Sequence, residues 1–223
     1  MKTIIITGAG SGLGKELALQ YSSKGYHLLL IGRTESKLKE IETQIKDKGG
    51  YADSVVLDIT NDEAVHSFVR MAHNQFDLYG LINNAGVGHF GPFEKMTATE
   101  IMEMLHTNVL GTIYMSQALL PVLQGKEEAL LMNIISTAGL KGKVNEAGYV
   151  ASKFAVRGLT ESLQKEYEHT NVKIKAVYMG GMDTPFWDHN DHIQDKSRLR
   201  SPADVAEMII ANTAKDEIII ESK

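Results

Sequence analysis

The feature that most restricts what this chain can fold into is the run Thr7-Gly8-Ala9-Gly10-Ser11-Gly12-Leu13-Gly14, which directly follows Ile4-Ile5-Ile6. The three isoleucines predict a short buried strand. Residues 12–24 then show helical spacing, with Leu13, Leu17 and Tyr21 on one side and Gly25 as a stop. Strand, glycine turn and helix in that order make a cradle for phosphate. Glycines let the backbone approach a pyrophosphate, and the free N–H groups at a helix start carry positive partial charge. Gly8, Ser11, Gly12, Leu13 and Gly14 are therefore assigned to cofactor binding.

The alternation of strand and helix continues along the chain. Residues 27–31, 54–57, 78–82, 129–135, 172–178 and 218–220 read as further strands. Thr34 is placed as the cap of a helix carrying Leu38, Ile41 and Ile45, and Asn61 as the cap of one carrying Val65, Phe68, Val69 and Ala72. Thr97 with Glu100 forms a capping box that opens a long helix ending near Pro121. Another long helix is expected over 148–169, and Ser201-Pro202-Ala203-Asp204 opens the last one. The strands are apolar and β-branched without strict alternation, which is the pattern of a parallel sheet covered on both faces. The fold class is α/β, a Rossmann-type doubly wound parallel sheet of about seven strands with helices on both faces. One NAD(P)-binding domain is expected over 1–223, with a substrate loop at about 185–200.

Composition narrows the function classes. With no cysteine there is no disulfide framework and no thiolate chemistry. A formal charge of -5 argues against a nucleic-acid partner. The start is too short in apolar residues for a signal peptide, and no apolar run is long enough for a membrane span. The cytoplasm is the expected location. No His, Asp or Glu cluster has metal-ligand spacing, so no metal is expected.

The end of the second strand bears on the choice of cofactor. A carboxylate there would accept hydrogen bonds from a ribose and repel an added phosphate. This chain has Arg33 in Ile31-Gly32-Arg33-Thr34, and a guanidinium can hold a phosphate through two parallel hydrogen bonds. NADP(H) is the expected cofactor, with NAD(H) possible.

Tyr149 and Lys153 stand four apart at the start of a predicted helix and so share a face. A free phenol has a pKa of about 10, and a nearby ammonium would lower it enough for proton exchange with an alcohol or carbonyl oxygen. Ser136 ends the fifth predicted strand, at the sheet edge where ligands bind in such folds. Its hydroxyl can hold a substrate oxygen beside the tyrosine.

Together these motifs resemble the short-chain dehydrogenase/reductase family over residues 7–184. The glycine spacing, Asn83-Asn84-Ala85-Gly86 after the fourth strand, and the set Asn108, Ser136, Tyr149 and Lys153 all follow the family's order. The resemblance implies that Asp58, followed by Ile59, meets the adenine, and that Asn84, Ala85 and Gly86 lie against the adenosine. It implies that Asn108 holds a water in a proton relay from Lys153, and that Thr184 contacts the nicotinamide amide. Met179 departs from the pattern, standing where the family has proline, so a looser loop is expected.

The implied reaction is hydride transfer between nicotinamide and a small or medium carbonyl or alcohol substrate. Val87, Gly88, His89, Met182, Phe186 and Trp187 are the candidate pocket residues, with His89 better read as an exposed loop histidine. Lys141 and Lys143 are expected to be solvated loop charges. The resemblance implies a homodimer or homotetramer. The alternative function is a non-catalytic NADP-binding sensor or scaffold.

Overall fold

A computed structural model of the chain describes residues 1–188, 192, 193 and 195–222. Its centre is one sheet of seven parallel strands: β1 (Lys2–Thr7), β2 (His27–Gly32), β3 (Tyr51–Val56), β4 (Asp77–Asn83), β5 (Ala129–Ile134), β6 (Val172–Met179) and β7 (Glu217–Ile220). Their spatial order is β3-β2-β1-β4-β5-β6-β7. The chain thus builds outward from β1 in one direction, then returns to β1 and builds outward in the other. That reversal leaves a crevice above the carboxyl ends of β1 and β4.

Alternate side chains of each strand enter opposite cores. Ile4 and Ile6 pack with Leu17 of α1 (Gly12–Ser23), Ile41 of α2 (Glu35–Asp47) and Ile209 of α7 (Pro202–Ala211). Ile5 points the other way, into a core with Val65 of α3 (Asp62–Gln75) and Leu119 of α5 (Gly111–Gln124). Leu163 of α6 (Ala147–Glu166) packs against that second core. This two-sided burial is why the strands carry unbroken apolar runs.

Helix starts follow the predicted capping residues with one exception. Asn61 accepts the Ala64 N–H, Ser201 accepts the Asp204 N–H, and Thr97 and Glu100 form both halves of their box. Thr34 occupies its N-cap position but its side chain makes no cap hydrogen bond. The long helix after Thr97 is not uniform. It comprises α4 (Ala98–Met104), a π-helical turn over Leu105–Leu110 that contains Asn108, and α5. Pro121 lies inside α5 rather than ending it. A proline there forfeits its own N–H, and the helix has only three residues left to run. The helix predicted to reach residue 169 stops at Glu166, and Thr170 donates to the Tyr167 carbonyl in the turn that follows.

The stretch from 185 to 200 contains short 3-10 turns at Pro185–Trp187 and Lys196–Arg198. A single bridge between Met182 and Arg200 closes its base. Residues 189–191 and 194 of the expected substrate loop lie outside the described residues. Among the described residues, no helix is long and apolar enough to cross a membrane.

Candidate active site

The glycine turn and the end of β4 are tied together through Thr7 and Asn84. Thr7 Oγ1 accepts the N–H groups of Asn84 and Ala85 at 2.9 and 3.0 Å. The Asn84 side-chain amide donates to the carbonyls of Thr7 and Gly8 at 3.0 and 3.2 Å. Two glycines make this fit possible. Gly8 has φ +65, and an added Cβ would stand 2.9 Å from the Ala85 Cα. A side chain at Gly14 would overlap the Gly8 carbonyl and the Asn84 amide, so α1 lies flush against the turn. Gly12 faces Thr184, whose side chain would be 3.2 Å from a Cβ there.

Above this turn opens a cavity of about 680 Å³. Arg33, Asp58 and Ile59 border one end, and Ser136, Tyr149 and Lys153 the other, with Ala85, Gly86 and Thr184 also on its wall. Gly14 and Asn108 do not border it. Gly14 acts on the shape of the turn, as just described. The Asn108 side chain is fully used behind the wall. Its amide donates to the Val87 carbonyl at 2.9 Å and to Ser152 Oγ at 3.0 Å, and its oxygen accepts the Val87 N–H at 2.8 Å. Gly86 leaves room for this clamp, since a Cβ there would be 3.2 Å from Asn108 Oδ1.

Ser136, Tyr149 and Lys153 are all buried. The Ser136 hydroxyl lies close enough to act on the Tyr149 phenol. Burial pushes the Tyr149 phenol well above its ordinary pKa; the nearby Ser136 hydroxyl opposes this and the charge of Glu146 adds to it. Burial also lowers the Lys153 amine to about 8. Lys153 Nζ donates to the Ile134 carbonyl at 3.2 Å and lies 5.6 Å from the Tyr149 ring centroid. The expectation that a lysine charge holds the phenol's pKa down is therefore not met in this arrangement. Both groups are desolvated, and the amine's own charge is disfavoured by the same burial.

Ser136 has φ 127 and ψ 153, a region that essentially only glycine enters at ease. Its Oγ accepts the Ala138 N–H at 3.2 Å, which helps hold the turn at the end of β5.

Several pocket assignments change. Val87, Met182, Phe186 and Trp187 border the cavity, but Gly88 and His89 do not. Gly88 is packed beneath Phe90 and Phe186, and His89 Nε2 pairs with Glu103 Oε2 at 2.8 Å. Lys143 is not simply solvated: it donates to Thr137 Oγ1 at 3.2 Å and borders the cavity. Met179, which stands where the family has proline, is part of the sheet. It extends β6 by pairing with Ile220, and the Gly180 N–H donates to the Ile220 carbonyl at 2.8 Å. Lys37 was missed by the sequence reading. It borders the same end as Arg33, four residues further on, at a spacing that looks like the exposed face of α2. Glu146 was missed because it precedes the predicted helix and belongs to no motif. Among the described residues, no group of three or more His, Asp or Glu side chains is placed to hold a metal ion.

A phosphate cradle at the reversal of a parallel sheet, with a buried phenol and amine in the same cavity, is the architecture of a dinucleotide-dependent oxidoreductase. A family model described as short chain dehydrogenase matches residues 2–195. Sepiapterin reductase of Chlorobaculum tepidum is 30% identical over 97% of this chain and 94% of its own length. Two solved structures are similar in fold. An alcohol dehydrogenase from Thermococcus sibiricus complexed with 5-hydroxy-NADP has a TM-score of 0.89 at 25% identity, covering 99% of this chain and 95% of that one. A short chain dehydrogenase/reductase from Burkholderia phymatum in complex with NAD has a TM-score of 0.90 at 26% identity, covering 99% and 88%. The chain belongs to the short-chain dehydrogenase/reductase family and is an NAD(P)-dependent oxidoreductase acting on CH–OH and C=O groups.

Backbone strain at Ser136 gives a stability prediction. Outside the left-handed and related regions, alanine is favoured over glycine; here the order should reverse. Both Ser136→Gly and Ser136→Ala lose the hydroxyl, but only glycine relieves a strain of about 1–3 kcal/mol. Urea unfolding should show Ser136→Gly more stable than Ser136→Ala by about 1 kcal/mol, after glycine's larger unfolded-state entropy is allowed for. Ser136→Ala proving the more stable would contradict a strained serine.

Proposed function

We propose that this protein reduces small or medium carbonyl compounds with NADPH, using Tyr149 as the acid/base group. The observation that carries the reading is the convergence of Ser136, Tyr149 and Lys153, all buried, on the cavity that the glycine turn opens into. The turn fits a dinucleotide: it is lined by backbone where Gly8 and Gly14 leave no space for a side chain, and it leads into the first turn of α1. Gly8, Ser11, Gly12 and Leu13 would hold the pyrophosphate. Asp58, Ile59, Asn84, Ala85 and Gly86 would take the adenosine and the segment beyond it, and Thr184 the nicotinamide amide.

A bound nicotinamide supplies the hydride for the carbonyl carbon. The protein's part is to hold the carbonyl oxygen between Ser136 Oγ and the Tyr149 hydroxyl. As negative charge develops on that oxygen, both hydroxyls donate to it and Tyr149 releases its proton. The phenol carries its proton at neutral pH, as an acid in the reductive direction must, and a positive nicotinamide ring beside it would make that proton easier to release. The relative named as a reductase favours the same direction. Lys153, which borders the same cavity, would hold the cofactor ribose and return a proton to the tyrosine. Asn108 acts at one remove, by fixing the Val87 backbone beside them.

Preference for NADP rests on two cations at the adenosine end, Arg33 and Lys37, both exposed and both bordering the cavity. An added ribose phosphate there would accept charge-assisted hydrogen bonds from either.

Tyr149→Phe should retain NADPH binding, followed by cofactor fluorescence, while turnover of a carbonyl panel falls about 100-fold to 10,000-fold. Full activity in that variant would remove Tyr149 from the chemistry. Wild-type kcat/KM should favour NADPH over NADH. Arg33→Asp combined with Lys37→Ser should shift the ratio toward NADH by about tenfold to 100-fold. A wild-type preference for NADH would overturn the NADP assignment.

A further inference from the structure

Beside Tyr149, Phe186 and Trp187 border the cavity, and Phe90 and His192, from distant parts of the chain, back them as a ring stack. Phe90 lies 5.4 Å from the Tyr149 ring and stacks on Trp187 at 5.1 Å and on His192 at 4.7 Å, the latter with the planes 12° apart. Phe186 closes the group, 4.9 Å from Trp187 and 5.8 Å from Tyr149. Ring contacts of this kind are attractive but tolerate many offsets and tilts. They do not by themselves fix where the wall stands relative to the acid/base group.

A charged contact does. Glu146 is buried, at 7% exposure, and stands three residues before Tyr149 at the start of α6. Its side chain caps no helix N–H. Instead Oε1 accepts from or pairs with His192 Nε2 at 3.0 Å, and Oε2 lies 4.0 Å from Lys143 Nζ. A buried carboxylate is costly unless paired and hydrogen-bonded, so this contact selects one placement of His192. His192 in turn carries the ring stack.

We propose that Glu146 is a positioning residue for the substrate wall: through His192 it fixes the Phe90–Trp187 stack beside Tyr149, and so favours flat aromatic carbonyl compounds over aliphatic ones. Phe186 and Trp187 offer a ring face and a ring edge to a flat substrate, whereas a small aliphatic carbonyl uses little of that surface. The substrate preference rests on the carbonyl-reductase reading above; the placement of the wall does not.

Trp187 is the only tryptophan in the chain, so its emission reports the wall directly, with or without turnover. In Glu146→Ala and in His192→Ala, Trp187 emission should move to the red and acrylamide quenching should rise about twofold. Glu146→Gln keeps one hydrogen bond to the imidazole and should recover most of both signals. With NADPH and matched panels of aromatic and aliphatic aldehydes, KM for the aromatic members should rise about tenfold in the alanine variants, at least fivefold more than for the aliphatic members. The double variant should do no more than either single one. Unchanged Trp187 emission and quenching in both alanine variants would overturn the proposal. So would equal KM increases for the two panels, or a fall in kcat with KM unmoved. If the wild type turns over neither panel, the reductase reading fails, and the Trp187 signals still decide whether Glu146 places the wall.

Discussion

The site depends on keeping an amine and a phenol out of water side by side. Lys153 and Tyr149 are both buried, and among the described residues Lys153 has no carboxylate partner; its Nζ donates to the Ile134 carbonyl. Burial without an opposite charge disfavours the ammonium and disfavours the phenolate. Each group therefore sits with its charged form less stable than in water. That is an unfavourable arrangement for a fold and a useful one for moving a proton, because small changes in local charge then shift both equilibria. The rest of the molecule can be read as what holds these two groups in place at that cost.

The sheet supplies the rigid part. Ser136 follows β5, the Asn84 clamp follows β4, and the glycine turn follows β1, so three neighbouring strands deliver their carboxyl ends to one crevice. Asn108 joins that frame from behind through Val87 and Ser152. Its π-helical turn lies where the segment meets Val87 in the loop after β4 and Ser152 of α6. Strain at Ser136 belongs with the same economy: the turn after β5 holds a serine in a glycine conformation where a hydroxyl is needed.

Much of this was legible in the chain. Seven strands and their order of appearance followed from apolar runs separated by amphipathic helices, because a two-sided parallel sheet leaves that trace. The motif residues Gly8, Ser136, Tyr149 and Lys153 do converge on one cavity. What escaped was set by tertiary packing rather than local pattern. Lys37 looked like any exposed lysine on a helix, and only the fold brings it beside Arg33. Glu146 and Lys143 precede α6 without a motif, and their place at the wall depends on loops far away in sequence. Gly88 and His89 were drawn into the pocket by proximity to Val87, but Gly88 packs against Phe90 and Phe186 and neither residue borders the cavity. The direction of the Tyr149 shift was also misjudged, because a sequence shows that a lysine is near and not that both partners are dry.

The most direct test is the titration of Tyr149 itself, followed by NMR of protein carrying ζ-carbon-labelled tyrosine, with Tyr149→Phe used to assign the signal. In the protein alone the phenol should titrate well above its ordinary value of 10. Saturation with NADP+, which brings a positive ring into the cavity, should lower that value by at least about one unit. A phenol titrating at or below its ordinary value in the protein alone, or one that NADP+ leaves unmoved, would contradict a buried acid/base group beside the cofactor.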